Sequence, residues 1–372
     1  MTMQSPYLQK ESFINRQNEL DYLYQWIQRK AQHILFIYGP KSSGKTTLLM
    51  KFIENHLNHK SFNIKHFNLR RMMIGSYIDF IQAFFEIDYT KASEDVKTKR
   101  EYSLKVFKLS KEIKKSLENK SLDPFVVMEK ELVKLNKKGM RPVIIIDELQ
   151  ALEDIYMNDQ RELLKELFNF FVAMTKESQL CHVIIASSDG YFLNKIYHDS
   201  KLSKTSAFYE VDYLPEADVR FWLSNLDHES GIKAYQLTNE QIETIWKHLG
   251  GSMFEISYVM GELIPKAQNK TISNAQLMDI IQKLIIENCG KLSFFATLHE
   301  NKRELFRTLF EIYQEKQDFT MNDLKKLVTN QLYEIDELKD ELNYLVQMNI
   351  LSFNPVSAEY QLQGYSMYYI MI

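Results

Sequence analysis

The sequence predicts an α/β fold in which a parallel-sheet core is followed by a helical segment and then by a tail of three helices and a hairpin. Three observations carry this expectation. A glycine-bounded turn at residues 39–46 joins an apolar run to a helix-forming run; a β-branched run at 143–146 ends in two acids; and beyond Pro215 the pattern is helical only, until alternation returns near Ile350. The expected boundaries divide the chain into a core at 1–215, a helical segment at 216–290 and a winged-helix-like domain at 291–372.

Composition narrows the class. With 372 residues, 45% of them hydrophobic and only 11 Gly and 7 Pro, the chain has ample material for packed cores and little for low-complexity tracts. Cys181 and Cys289 stand apart, without a partner at metal-ligand spacing, so they read as packing residues in a reducing compartment. The longest apolar runs are strand-sized and the first residues lack a charged-then-apolar leader, so the sequence predicts a cytoplasmic protein with no membrane association. A net charge of −3 argues against a surface that coats nucleic acid.

In chain order, Asn15 precedes a helix with apolar positions Leu20, Leu23, Tyr24 and Ile27, and by its residue type alone reads as a cap. Ile34, Leu35, Phe36 and Ile37 form a buried strand. Gly39, Pro40, Lys41, Ser42, Ser43, Gly44, Lys45 and Thr46 then fit G-x-x-x-x-G-K-[ST], with Thr47, Leu48 and Leu49 opening a helix. The chemistry follows from the spacing: glycines let successive N–H groups turn inward, so phosphates meet donors at the positive end of a helix. Lys45 reaches the β/γ-phosphates and the Thr46 hydroxyl holds Mg²⁺.

Residues 62–69 read as a second strand. The stretch 91–141 carries 15 Lys/Arg against 8 Asp/Glu, an excess that suits either an acidic partner or a solvated helical face. The run 143–146 indicates a strand buried on both faces, as in a parallel sheet. Asp147 and Glu148 at its carboxyl end divide the work: Asp147 takes the metal's water shell and Glu148 orients the attacking water. After a helix at 161–174, the apolar strand at 182–186 ends in Ser187 and Ser188; either hydroxyl is a candidate for the γ-phosphate or the water, and the same residues make a good turn on their own account. A last short strand runs from Phe208. Helices follow at 219–226, 238–249, 254–264 and 273–286, with Gly250 and Gly251 suited equally to a helix C-cap or to backbone approaching a nucleotide. In the tail the third helix is acidic, and residues 296–372 hold 12 acids against 7 bases, which disfavours reading DNA through it.

Taken together, FINRQNEL, FIYGPKSSGKTTLL, VIIIDELQAL, the stretch from ELFNFFVAMTKE to SSDGYFL, YLPEADVRFWL and LGGSMFEI resemble the archaeal-type ATPase family of the STAND class, P-loop NTPases related to AAA+ proteins. The resemblance implies that Asn15 and Arg16 line the adenine side, that Gln150 supports the acidic pair, that Ser187 or Ser188 senses the γ-phosphate, and that a lid converts nucleotide state into movement. The chain has Gly250, Gly251, Ser252 and Met253 where such proteins often carry Gly-Gly-x-Pro, and no arginine between Phe221 and Lys302. The expected function is slow hydrolysis of Mg-ATP coupled to movement of lid and tail, with a homo-oligomer or protein partner docking through them. The rival readings are a nucleotide-gated switch with negligible turnover and a DNA-associated regulator using the basic stretch. Arg70, Arg71, Arg161 and Arg220 are the candidate charge-stabilisers.

Overall fold

The computed structural model describes residues 14–58, 60–87, 107–157, 161–198, 202, 204–296 and 300–370. Residues 91–106 of the basic stretch at 91–141 therefore lie outside the described residues. The chain divides into two compact units, one of residues 1–17, 39–44 and 211–372, the other of residues 18–38 and 45–210.

The unit of residues 18–38 and 45–210 is built on five parallel strands: β1 (Ile34–Tyr38), β2 (Phe62–Asn68), β3 (Arg141–Asp147), β4 (His182–Ala186) and β5 (Ser206–Glu210), in the order β2-β3-β4-β1-β5. β1 and β4 are buried at every residue and β3 at all but its first, which is why they read as unbroken apolar runs rather than as alternation. Register aligns the strand ends: Asn68 lies beside Asp147, and Asp147 beside Ala186. The turns that follow these strands therefore leave one edge of the sheet, the edge at which open α/β sheets bind ligands. Helices Lys45–His56, Pro124–Lys137 and Leu163–Val172 cover the faces. Rings of Phe36, Phe67, Phe84 and Phe168 fill the core, Phe67 stacking on Phe84 with centroids 4.1 Å apart.

Three segments differ from expectation in their bounds. Arg161–Glu162 pair with Tyr156–Met157 as a short hairpin, so the helix starts at Leu163. The last strand of the sheet ends at Glu210, beside Tyr38, and the Val211 backbone lies close against Gly39. The helix expected at 273–286 is Asn274–Ala296, continuing across residue 290.

His182 illustrates what burial does to a titratable group in this sheet. It is 5% exposed, and its Nε2 sits 2.9 Å from the Arg29 carbonyl. Burial pushes its pKa down to about 4 from 6.5, the Arg29 hydrogen bond pulling weakly the other way. The unfolded chain takes a proton as pH falls through the ordinary value, while the fold refuses it until about pH 4. The stability contributed is thus complete above about 6.5 and is lost between about 6.5 and 4, on the order of 3 kcal/mol in all. Urea unfolding at about pH 7.5 and about pH 5 should show a fall that is smaller in His182→Gln; equal falls would exclude His182 as its source.

In the other unit, helices Glu216–Ser224, Asn239–Leu249, Met253–Leu263 and Asn274–Ala296 enclose a core of Val219, Trp222, Ile245, Ile256, Met260 and Ile281, to which Ile14 also belongs. Thr238 and Gln241 form a capping box at the start of Asn239–Leu249. Gly251 is required by close approach, since a Cβ there would lie 2.0 Å from the Leu214 carbonyl oxygen. Further on come Glu300–Glu315, Lys325–Thr329 and Ile335–Gln347, with an antiparallel sheet of β6 (Asp318–Phe319), β7 (Leu351–Asn354) and β8 (Glu359–Leu362) in the order β6-β8-β7. On Ile335–Gln347, Asp336, Glu337 and Asp340 are exposed. No helix among the described residues is long and apolar enough to cross a membrane.

Candidate nucleotide site

The glycine-bounded turn has the backbone that its composition foretells. Gly39, Ser42 and Gly44 have φ of 142°, 62° and 93°. A side chain at Gly39 would be strained and would also put its Cβ 2.2 Å from the Val211 carbonyl oxygen. Residues 39–44 are tied within their own unit. The Ser43 carbonyl accepts from Arg16 Nη2 at 2.9 Å, and the Lys41 carbonyl accepts from the Tyr213 hydroxyl at 3.1 Å and from Gln363 Nε2 at 3.4 Å. The same Arg16 nitrogen donates to the Asp212 carbonyl at 2.6 Å, and its side chain is buried. Pro40 is buried too, closing the turn by accepting from the Ser43 N–H at 3.2 Å.

Asn15 does not cap the first helix. Its backbone has φ of 24° and its side-chain amide donates to Asp218 Oδ1 at 2.7 Å. Asn15 and Arg16 thus brace the loop and the start of Glu216–Ser224. The signal for bracing was the two polar residues following Ile14, which is itself buried.

Lys45 opens the helix Lys45–His56 and is 6% exposed; Thr46 and Thr47 are half-buried beside it. Across from that helix start, the Thr46 hydroxyl donates to Asp147 Oδ2 at 2.6 Å. A hydroxyl and a carboxylate held this close offer hard oxygen ligands of the kind that suit a small divalent cation retaining most of its water.

Glu148 is 8% exposed and adopts a left-handed backbone with φ of 66°, a conformation that costs a non-glycine residue and clusters at functional sites. Both its oxygens are engaged. Oε1 accepts from Arg70 Nη2 at 2.6 Å and from the Ser188 hydroxyl at 3.4 Å, while Oε2 accepts from Gln150. Ser187, fully buried, donates to Gln150 Oε1 at 3.0 Å and accepts from the Asp189 N–H at 3.0 Å. The serines, Gln150 and Glu148 therefore form one hydrogen-bonded chain at the ends of β3 and β4, beside the separate pair of Thr46 and Asp147.

Among the four arginines the sequence left open, Arg70 is the one beside Glu148. The signal was available: Arg70 follows β2 by two residues, and β2 is the neighbour of β3. Arg220 is instead held by Glu216 and Glu243.

Comparisons with known proteins show what the chain resembles in sequence and in fold. A family model described as an ATPase domain predominantly from Archaea matches residues 13–259. Two ATP-binding proteins of Methanocaldococcus jannaschii, themselves uncharacterized, are 31% and 32% identical to this chain, each alignment covering 93% of it and 94% and 90% of the relative. Among solved structures, a Walker-type ATPase of Pyrococcus abyssi superposes with a TM-score of 0.62 at 14% identity, covering 96% of each chain. The ORC2 protein of Aeropyrum pernix, solved in ADPNP–ADP complexes, superposes at 0.54 with 8% identity, covering 99% of this chain and 95% of that one. At such identities these two bear on the fold alone, a P-loop α/β fold.

Proposed function

The chain belongs to the ATPase family found predominantly in Archaea, and on that premise we propose that it binds ATP with Mg²⁺ and hydrolyses it slowly to ADP and phosphate. The observation that carries the reading is the 2.6 Å hydrogen bond between Thr46 and Asp147, with Lys45 and Glu148 each one residue away in the chain. In this reading Gly39, Pro40, Lys41, Ser42, Ser43, Gly44 and Thr47 supply the loop and helix start around the phosphates. Lys45 balances their charge, and Ser187 or Ser188 relays γ-phosphate occupancy to the acidic pair. Asn15 and Arg16 stand on the base side. Thr46 and Asp147 would hold Mg²⁺, which would supply positive charge against the negative charge developing on the phosphates. Glu148 orients the water for in-line attack and draws off its proton.

The tail of three helices and an antiparallel sheet fits a winged-helix-like domain, with the preceding helices as a lid. The exposed acids on Ile335–Gln347 favour docking of a protein over DNA, since phosphate repulsion opposes the latter. A second reading, a nucleotide-gated switch with negligible turnover, is favoured by one observation. Both oxygens of Glu148 are already engaged, by Arg70, Ser188 and Gln150.

Steady-state phosphate release, measured across protein concentration with and without DNA, tests the proposal. Mg²⁺-dependent release is expected, unaffected by DNA and rising per molecule with concentration if a neighbouring subunit supplies an arginine, a contribution on the order of 10³ to 10⁵ in rate. ATP binding without release would move the conclusion to the switch, and no ATP binding would end both readings.

A further inference from the structure

Three buried polar atoms on β2 lack a hydrogen-bond partner among the described residues: Oδ1 of Asn63 near the strand's start and, two residues apart at its carboxyl end, Nε2 of His66 and Oδ1 of Asn68. Native folds leave few such atoms, and each calls for an explanation. For His66 and Asn68 their placement supplies one. In the parallel pairing of β2 with β3, Asn68 lies beside Asp147 and His66 beside Ile145. Side chains two apart on a strand share a face, and paired residues of adjacent strands point the same way. His66, Asn68 and Asp147 therefore lie on one face of the sheet, the face on which Asp147 meets Thr46. His66 is 8% exposed, and the Asp147 carboxylate is near enough to act electrostatically on its ring.

We propose that His66 and Asn68 are positioning residues for the divalent cation of this site, accepting hydrogen bonds from waters of its hydration shell beside Asp147. This rests on the Mg²⁺-nucleotide reading given above. The chemistry is matched on both sides. Mg²⁺ gives up its water reluctantly and keeps several molecules when protein-bound, and polarised water is a strong donor that needs acceptors. Asn68 Oδ1 is an acceptor, and so is Nε2 of a neutral imidazole protonated on Nδ1. Burial lowers the His66 pKa, against the pull of Asp147, and so favours that neutral ring. Arg71 also acts electrostatically on the His66 ring, in the same direction as burial. With the Asp147 carboxylate the face presents three acceptors, an arrangement that a purely structural core would not select, because apolar residues would fill it without stranding polar atoms.

The test separates metal from nucleotide. Binding of a non-hydrolysable ATP analogue to the full chain is measured by calorimetry, first in excess EDTA and then with Mg²⁺ titrated in, for the parent, His66→Phe, Asn68→Leu, His66→Gln and Asp147→Asn. In His66→Phe and Asn68→Leu the metal-free affinity should stay within about 2-fold of the parent, while the Mg²⁺ concentration needed for half of the metal-dependent gain rises about 10-fold. His66→Gln, which keeps an acceptor, should recover most of that loss, a rescue that a packing role would not give. Should His66→Phe fail to fold, Asn68→Leu, at a half-buried position, carries the same comparison. The proposal is overturned if both variants respond to Mg²⁺ as the parent does while Asp147→Asn is weakened. If Asp147→Asn is also unchanged, it is the placement of the cation at Thr46 and Asp147 that has failed, and the proposal goes with it.

Discussion

Glu148→Gln is expected to lower steady-state phosphate release by about 10²- to 10³-fold while leaving ATP affinity within about 3-fold of the parent. The substitution keeps size and one acceptor oxygen but removes the negative charge that would take up a proton from water. Arg70 loses its ion-pair partner at little cost to the fold, because its side chain is 56% exposed and water solvates the charge. The left-handed backbone at Glu148 is unfavourable for either residue, so it does not distinguish them. Single-turnover and steady-state rates, measured beside equilibrium binding, decide the matter. An unchanged rate in a variant that binds ATP normally would remove Glu148 from the chemistry.

Lys45→Ala is expected to weaken ATP binding by about 10- to 150-fold. A charge-assisted hydrogen bond to phosphate is worth about 1.5–3 kcal/mol, and Lys45 stands 6% exposed at the start of a helix, where little water competes. Alanine is a good helix former, so the fold should survive and the thermal midpoint without nucleotide should move by only a few degrees. Titration with a fluorescent ATP analogue reads the effect. A dissociation constant within about 3-fold of the parent's would show that the turn at 39–46 is not a phosphate cradle.

The sheet was legible because its strands are buried on both faces: β3 and β4 announce themselves as apolar runs, and the loop motif has a strand before it and a helix after it. The acids at the end of β3 could be assigned together for the same reason, since a strand end and a phosphate loop in one fold have few relative placements. Arg70 was harder. It sits in no motif, and only the parallel pairing of β2 with β3 brings it to Glu148, a long-range fact that local pattern does not encode. His66 and Asn68 were hidden in another way, because a lone polar residue in a strand looks the same whether it faces water or a buried site. Asn15 looked like a cap by residue type; its bond to Asp218, 203 residues on, is tertiary and outranks the local preference.

The interleaving of the two compact units bears on how this protein can be dissected. The chain passes from one unit to the other at residues 17–18, 38–39, 44–45 and 210–211, so neither unit is a continuous piece. Truncation after Glu210 would keep every residue of the loop motif yet remove Val211, against which Gly39 packs, the Asp212 carbonyl that holds Arg16, and both donors to the Lys41 carbonyl. An N-terminal fragment chosen to contain the motif would therefore carry its sequence without its scaffold. Inactivity of such a fragment would say nothing about the chemistry of the whole chain, and point substitution is the informative way to take this molecule apart.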